Sequence, residues 1–179
     1  AGSFRDEVSQ FDLVFVPGRK TERDLTQRGL ITEDRCWRIG YPKFAAVDRL
    51  PEPAPLFNNR KPTILYNPHF DPELSSWYRW GPRVLDFFAK NPHRYNLIFA
   101  PHLKLFGLRG RYKVSPPWRY YRARNIHIDL GSRKSVDMTY TRLADLYLGD
   151  VSSQVYEFIR SPRPCAFLNA AAIDWRDDE

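Results

Sequence analysis

The chain has 179 residues, 42% of them hydrophobic and 15% aromatic, and a formal net charge of +7. That is enough apolar surface for one domain, or one domain with part of a second, and it excludes a disordered polymer. No apolar run approaches a membrane span, and two cysteines without a metal or disulfide spacing point to a reducing cytosol.

The first residues, Ala1 to Glu7, are neither a signal peptide nor an initiator-Met start, and they lead quickly into a strand. The chain therefore reads as a piece of a longer protein. Residues 12–16 (Asp-Leu-Val-Phe-Val) form a buried-strand pattern stopped by Pro17-Gly18, and 19–28 a helix ending at Gly29. Residues 36–39 make a second short strand closed by Gly40-Tyr41-Pro42. Residues 43–60, with Pro51, Pro53 and Pro55, read as a connection between domains.

A new series opens with a strand at 63–66 and the loop Asn67-Pro68-His69. A helix over 80–90, strands at 95–100 and 125–129, and a helix over 135–143 follow. Next come a strand at 145–148, a helix opened by Ser152-Ser153 and a strand at 164–168. Strands separated by helices of this length pair in parallel through right-handed crossovers. The expected fold is α/β, doubly wound around a mostly parallel sheet.

Ligands of such sheets sit beyond the carboxyl ends of the strands. Polar residues gather at four of those ends: Asn67 and His69, His102, Asp129 and Ser132, and Asp150 with Ser152 and Ser153. A Ser at a helix start accepts an orphan N–H, and the same end holds a phosphate. Glu157 follows about one turn on, roughly 5–7 Å along the axis, where a carboxylate accepts from ribose hydroxyls. The plainer alternative is a capped helix with a solvated Glu. From Lys104 to Arg124 there are seven Lys/Arg and no acidic residue, interleaved with Tyr112, Trp118, Tyr120 and Tyr121. Arg119, Arg122 and Arg124 would face an anionic partner, unless this is simply a solvated loop. Pro116-Pro117 argues against a continuous helix there.

The ordered set 11–18 (Phe-Asp-Leu-Val-Phe-Val-Pro-Gly), 39–43 (Ile-Gly-Tyr-Pro-Lys), 64–68 (Ile-Leu-Tyr-Asn-Pro), 98–102 (Ile-Phe-Ala-Pro-His), 149–153 (Gly-Asp-Val-Ser-Ser) and 162–168 (Pro-Arg-Pro-Cys-Ala-Phe-Leu) resembles the CDP-glycerol glycerophosphotransferase family. Its members are teichoic-acid-polymerase-like enzymes with a two-domain, Rossmann-like GT-B glycosyltransferase fold. The chain departs from the family at Val151, where a Tyr is usual, and at Asn67-Pro68-His69, where Ala-Pro-Thr is common. The resemblance implies that residues 1–50 are the last elements of an acceptor domain and crossover, 51–61 a linker, and 62–179 the nucleotide-binding domain.

It further implies transfer of a sugar or polyol phosphate from a nucleotide-diphosphate donor to an anionic envelope polymer, at the cytoplasmic face of the membrane. In that reading Asn67, Asp150, Ser152, Ser153 and Glu157 bind the nucleotide, while His102, assisted by His69, acts on the leaving phosphate. No metal or cofactor is implied. Two other readings stay open: a UDP-N-acetylglucosamine 2-epimerase-like enzyme, and a basic module binding RNA or anionic lipid. Against the second of these stands the lack of any helix-turn-helix, zinc-finger or RNP signature, and DNA is not an expected partner.

Overall fold

The structure, a computed structural model, describes residues 6–106, 115–170, 172 and 174. The chain divides into two compact units, Ala1–Pro51 and Glu52–Glu179.

In the first unit, β1 (Val14–Val16) and β2 (Cys36–Arg38) pair in parallel, with Phe15 opposite Trp37. Helix α1 (Arg19–Gln27) crosses between them and buries Leu25 against Val16, Ile31 and Cys36. Gly29, at φ 66°, lets the chain turn out of α1 in a conformation that costs a side-chain-bearing residue more. Pro42 opens α2 (Pro42–Val47), where its missing N–H costs nothing. That short helix occupies part of the stretch read from sequence as a connection. Large apolar residues recur at alternate positions, Phe11, Leu13 and Phe15 beside Trp37, Ile39 and Tyr41, and all six are exposed.

The second unit is built on five strands, β3 (Thr63–Asn67), β4 (Asn96–Phe99), β5 (Ile126–Ile128), β6 (Leu146–Gly149) and β7 (Cys165–Phe167). All pair in parallel in the order β5-β4-β3-β6-β7. Side chains alternate between faces along each strand. Ile64, Tyr66, Leu97, Phe99 and Ile126 meet α3 (Trp77–Lys90) and α4 (Trp118–Tyr121) on one side. Leu65, Ile98 and Tyr147 meet α5 (Thr139–Leu143) and α6 (Ser153–Phe158) on the other. The doubly wound arrangement is therefore realised. Residues 52–61 belong to this unit: Leu56 and Phe57 pack on the second core, and Asn59 exchanges amide bonds with Asn96.

Two helices differ from the sequence pattern. α3 begins three residues before the expected start because Trp77 stacks on Phe99 with ring centroids 5.0 Å apart. Gly81 makes the space: an added Cβ would fall 2.1 Å from the Trp77 ring. The expected helix over 135–143 is split into a 3-10 turn (Arg133–Ser135) and α5. Met138 takes φ 67° between them, and the Asp137 carboxylate caps α5 by accepting from the Thr139 N–H and hydroxyl. Arg163 then ties the ends of α5 and α6 by donating to the carbonyls of Thr141, Ala144 and Phe158 at 2.7–2.8 Å.

Candidate functional site

The strand order reverses at β3. The chain runs outward from β3 through β4 to β5, then returns to place β6 on the other flank. The loops leaving β3 and β6 lead to helices on opposite faces, and a crevice opens between such loops. The structure brings Asn67, His69, Asp150 and Ser152 together there.

Asn67 is 2% exposed and spans the strand ends. Its Nδ2 donates to the Ala100 carbonyl at 2.5 Å, and its Oδ1 accepts from the Ser152 hydroxyl at 3.4 Å. Asp150, also 2% exposed, accepts through Oδ2 from the His69 N–H at 2.8 Å and the Ser76 N–H at 2.9 Å. It thus fastens the β3–α3 loop and the first turn of α3 to the end of β6. Burial holds this carboxyl above its usual range, against the opposing pull of those two N–H groups. Tyr147, buried in β6, donates to the Asp150 carbonyl at 3.0 Å and lies 3.4 Å from the Ser152 hydroxyl.

His69 and His102 stand on the adjacent loops after β3 and β4, linked by the His102 N–H donating to the Pro68 carbonyl at 3.0 Å. Their rings lie 5.6 Å apart, with Phe70 4.5 Å from each. Each Nδ1 accepts from the backbone N–H two residues on, Asp71 for His69 and Lys104 for His102. That assigns the neutral-ring proton to Nε2 in both. Burial lowers both pKa values, opposed at His69 by the Asp150 and Asp71 charges and reinforced at His102 by His69 and Lys104. At neutral pH the pair therefore offers two uncharged Nε2–H donors.

The Ser pair departs from the sequence expectation. Neither hydroxyl caps α6: Ser152 occupies the cap position without a side-chain cap bond, and its hydroxyl turns to Asn67 and Tyr147. With only six residues, α6 contributes little macrodipole. Ser153 is exposed. Glu157 is 6% exposed, on a helix that also buries Val155 and Phe158, so it is not the open carboxylate the spacing suggested.

Asp129 and Ser132, expected at a strand end, form a second network at the end of β5 whose other members, Tyr140 and His127, the sequence did not show. Asp129 Oδ1 accepts from the N–H groups of Gly131 (2.9 Å) and Ser132 (2.7 Å). Its Oδ2 accepts from the hydroxyls of Ser132 and Tyr140, the latter at 2.5 Å. Tyr140 spends its proton on Asp129, so the His127 Nε2, 3.0 Å from the Tyr140 oxygen, must be the donor. Burial would raise the Asp129 pKa, but these bonds outweigh it and hold the carboxyl well below its usual range. Asp129-Leu130-Gly131-Ser132 was readable as an Asx turn; the partnership with Tyr140 was not.

Within 104–124, positions 107–114 lie outside the described residues. Arg119 is not an open cation: it lies 3.4 Å from Asp86 of α3 and donates to the Tyr120 hydroxyl at 2.6 Å. Arg122 stacks over Trp118, centroid distance 4.8 Å, and Arg124 is exposed. A cavity of about 260 Å³ lies at the opposite end of the sheet, lined by Leu56, Phe57, Asn59, Lys61, Thr63 and Asp145, and contains none of the strand-end residues above. Among the described residues no group of His, Cys, Asp and Glu is placed to hold a metal, and no helix is long and apolar enough to cross a membrane.

In three dimensions the chain matches the wall teichoic acid polymerase TagF, with a TM-score of 0.64 at 15% identity, over 97% of this chain and 45% of that one. A variant of that polymerase soaked with CDPG matches over 96% of this chain and 41% of its own, with a TM-score of 0.64 at 20% identity. No protein-family model and no curated protein matches the sequence. Likeness at these identities shows the fold. The chain spans less than half the length of these polymerase chains.

Proposed function

We propose that the second unit is the donor-binding half of a GT-B type transferase that moves a sugar or polyol phosphate from a nucleotide-diphosphate donor to an anionic envelope polymer. The observation that carries this is the meeting of Asn67, His69, His102, Asp150 and Ser152 at the one place in the sheet where the strand order reverses. In this reading Ser152, Ser153 and adjacent backbone N–H groups take the diphosphate. Asn67 and Asp150 hold the loops that shape its seat. The two Nε2–H donors of His69 and His102 stabilise charge on the departing nucleotide by hydrogen bonding to its phosphate oxygens.

Glu157 reaches the ribose hydroxyls if the ribose enters on the inner side of α6. Arg122 and Arg124 face the polymer or an anionic membrane surface; Arg119, already engaged with Asp86, contributes less. The likeness to a polymerase soaked with CDPG supports a CDP-linked donor.

Calorimetry with CDP and UDP tests the reading. The chain should bind one of them, and Ser153→Ala should weaken binding by about 1–2 kcal/mol through loss of a phosphate donor. Glu157→Ala should narrow the preference for ribose over deoxyribose nucleotides. Transfer requires donor and acceptor in near-attack geometry, so this chain alone should turn over nothing measurable. A well-folded sample that binds neither nucleotide would overturn the assignment.

A further inference from the structure

Among the described residues, the proposed diphosphate seat has no strong positive charge of its own. Asp150 places a carboxylate beneath it, and the two histidines are neutral. Lys104 stands at the β4 end, with Nζ 5.2 Å from the Phe70 ring centroid. The turn after β5 carries two more cations, Arg133 and Lys134, both exposed.

Three features fix this turn. Asp129 gathers the Gly131 and Ser132 N–H groups and the Ser132 hydroxyl. Ser132 in turn accepts from the Lys134 N–H at 3.2 Å. The Arg133 carbonyl accepts from the N–H groups of both Val136 and Asp137 at 3.0 Å. The turn is also joined to α6: Gln154, the residue after Ser153, donates from Nε2 to the Ser135 carbonyl at 2.9 Å. At that junction the Ser135 hydroxyl is buried with no hydrogen-bond partner among the described residues.

We infer that Arg133 and Lys134, held on the Asp129-locked turn and tethered to α6 through Gln154, the residue after Ser153, form the cationic arm of the site and select a diphosphate over a monophosphate. The inference rests on the Ser152–Ser153 reading above. Its physical basis is that two side chains already fixed at the backbone lose less freedom on binding than two on a mobile loop. A second phosphate adds charge for them to meet, so their contribution grows with phosphate number.

The test compares the unmodified chain with an Arg133→Ser, Lys134→Ser double variant, titrating CDP, UDP, CMP and inorganic pyrophosphate at two salt concentrations. The double variant should bind the nucleoside diphosphate and pyrophosphate about tenfold more weakly, with a shallower salt dependence, and CMP about threefold or less. Ser132→Ala, which keeps both cations but releases the Lys134 N–H, should lose part of the diphosphate preference while thermal unfolding stays cooperative. If the unmodified chain binds CDP or UDP and the double variant binds it equally well, the cationic arm is wrong and the Ser-pair seat stands. If the unmodified chain binds neither nucleotide nor pyrophosphate, both assignments fall.

Discussion

Asp150→Ala is expected to destabilise the second unit by about 3–4 kcal/mol, because it strands one buried and one partly buried N–H group at roughly 1–3 kcal/mol each and removes the tie between β6 and α3. Those groups belong to His69 and Ser76, both bound by one carboxylate oxygen in a residue only 2% exposed. Deleting a buried charge gives something back, but the orphaned amides dominate. Asp150→Asn separates the effects: its amide oxygen still accepts from both N–H groups while its NH2 replaces the unpartnered Oδ1, so the loss should be smaller, about 1–3 kcal/mol at neutral pH.

The pH dependence has a definite sign. A carboxyl held above its usual range binds its proton more tightly folded than unfolded, so its ionisation costs stability as pH rises through that raised value. Relative to Asp150→Asn, the unmodified chain should therefore gain stability as pH falls from neutrality toward the ordinary carboxylate range. Urea unfolding followed by circular dichroism at pH 7 and pH 5 measures both effects. An alanine variant unfolding within about 1 kcal/mol of the parent would show the carboxylate is not the fastening.

Gly149→Ala should be nearly as damaging, and for a steric reason. Gly149 ends β6 at φ 155°, and an added Cβ would lie 2.8 Å from the Asn67 carbonyl oxygen and 3.3 Å from the Tyr147 hydroxyl. The Asn67 carbonyl belongs to the neighbouring strand, so relief means separating β3 from β6 at the site. We expect a loss of about 3–4 kcal/mol, backbone strain plus overpacking, together with loss of nucleotide binding. Gly131→Ala is the control. Its φ of 150° imposes similar strain, but the nearest contact is a Leu103 methyl at 3.5 Å, so about 1–2 kcal/mol should suffice. Equal losses at the two glycines would remove the clash from the explanation.

Much of the fold was legible because its signals are local. Short apolar runs stopped by Pro or Gly, alternating with helical patterns, located the strands and implied parallel pairing; polar residues at their ends marked the edge where the site would lie. What was not legible depends on residues distant in sequence. Gly81-Pro82 falls in the first turn of the helix expected over 80–90, yet α3 starts at Trp77, whose ring occupies the space a side chain at Gly81 would take. Ser152 reads as a cap, yet its hydroxyl faces Asn67, 85 residues away. Glu157 satisfies a spacing rule, but spacing does not show that the inner side of α6 would bury it. Tyr140 carries no motif, and its role depends on where β5 delivers Asp129.

The pairing of Asn67 with Gly149 also sets an order of assembly. β3, β4 and β5 are joined by contacts about 30 residues apart in sequence, as between Thr63 and Asn96. The His69–Asp150 and Asn67–Ser152 bonds span 81 and 85 residues. Closing the longer loop costs more chain entropy, and during synthesis its far end emerges last. The platform with its aromatic layer should therefore condense first, with the crevice added only when β6 docks. In refolding, tryptophan fluorescence should recover before nucleotide binding does; simultaneous recovery would indicate a single concerted step. A nascent or partly refolded chain would thus be compact well before it could hold a donor.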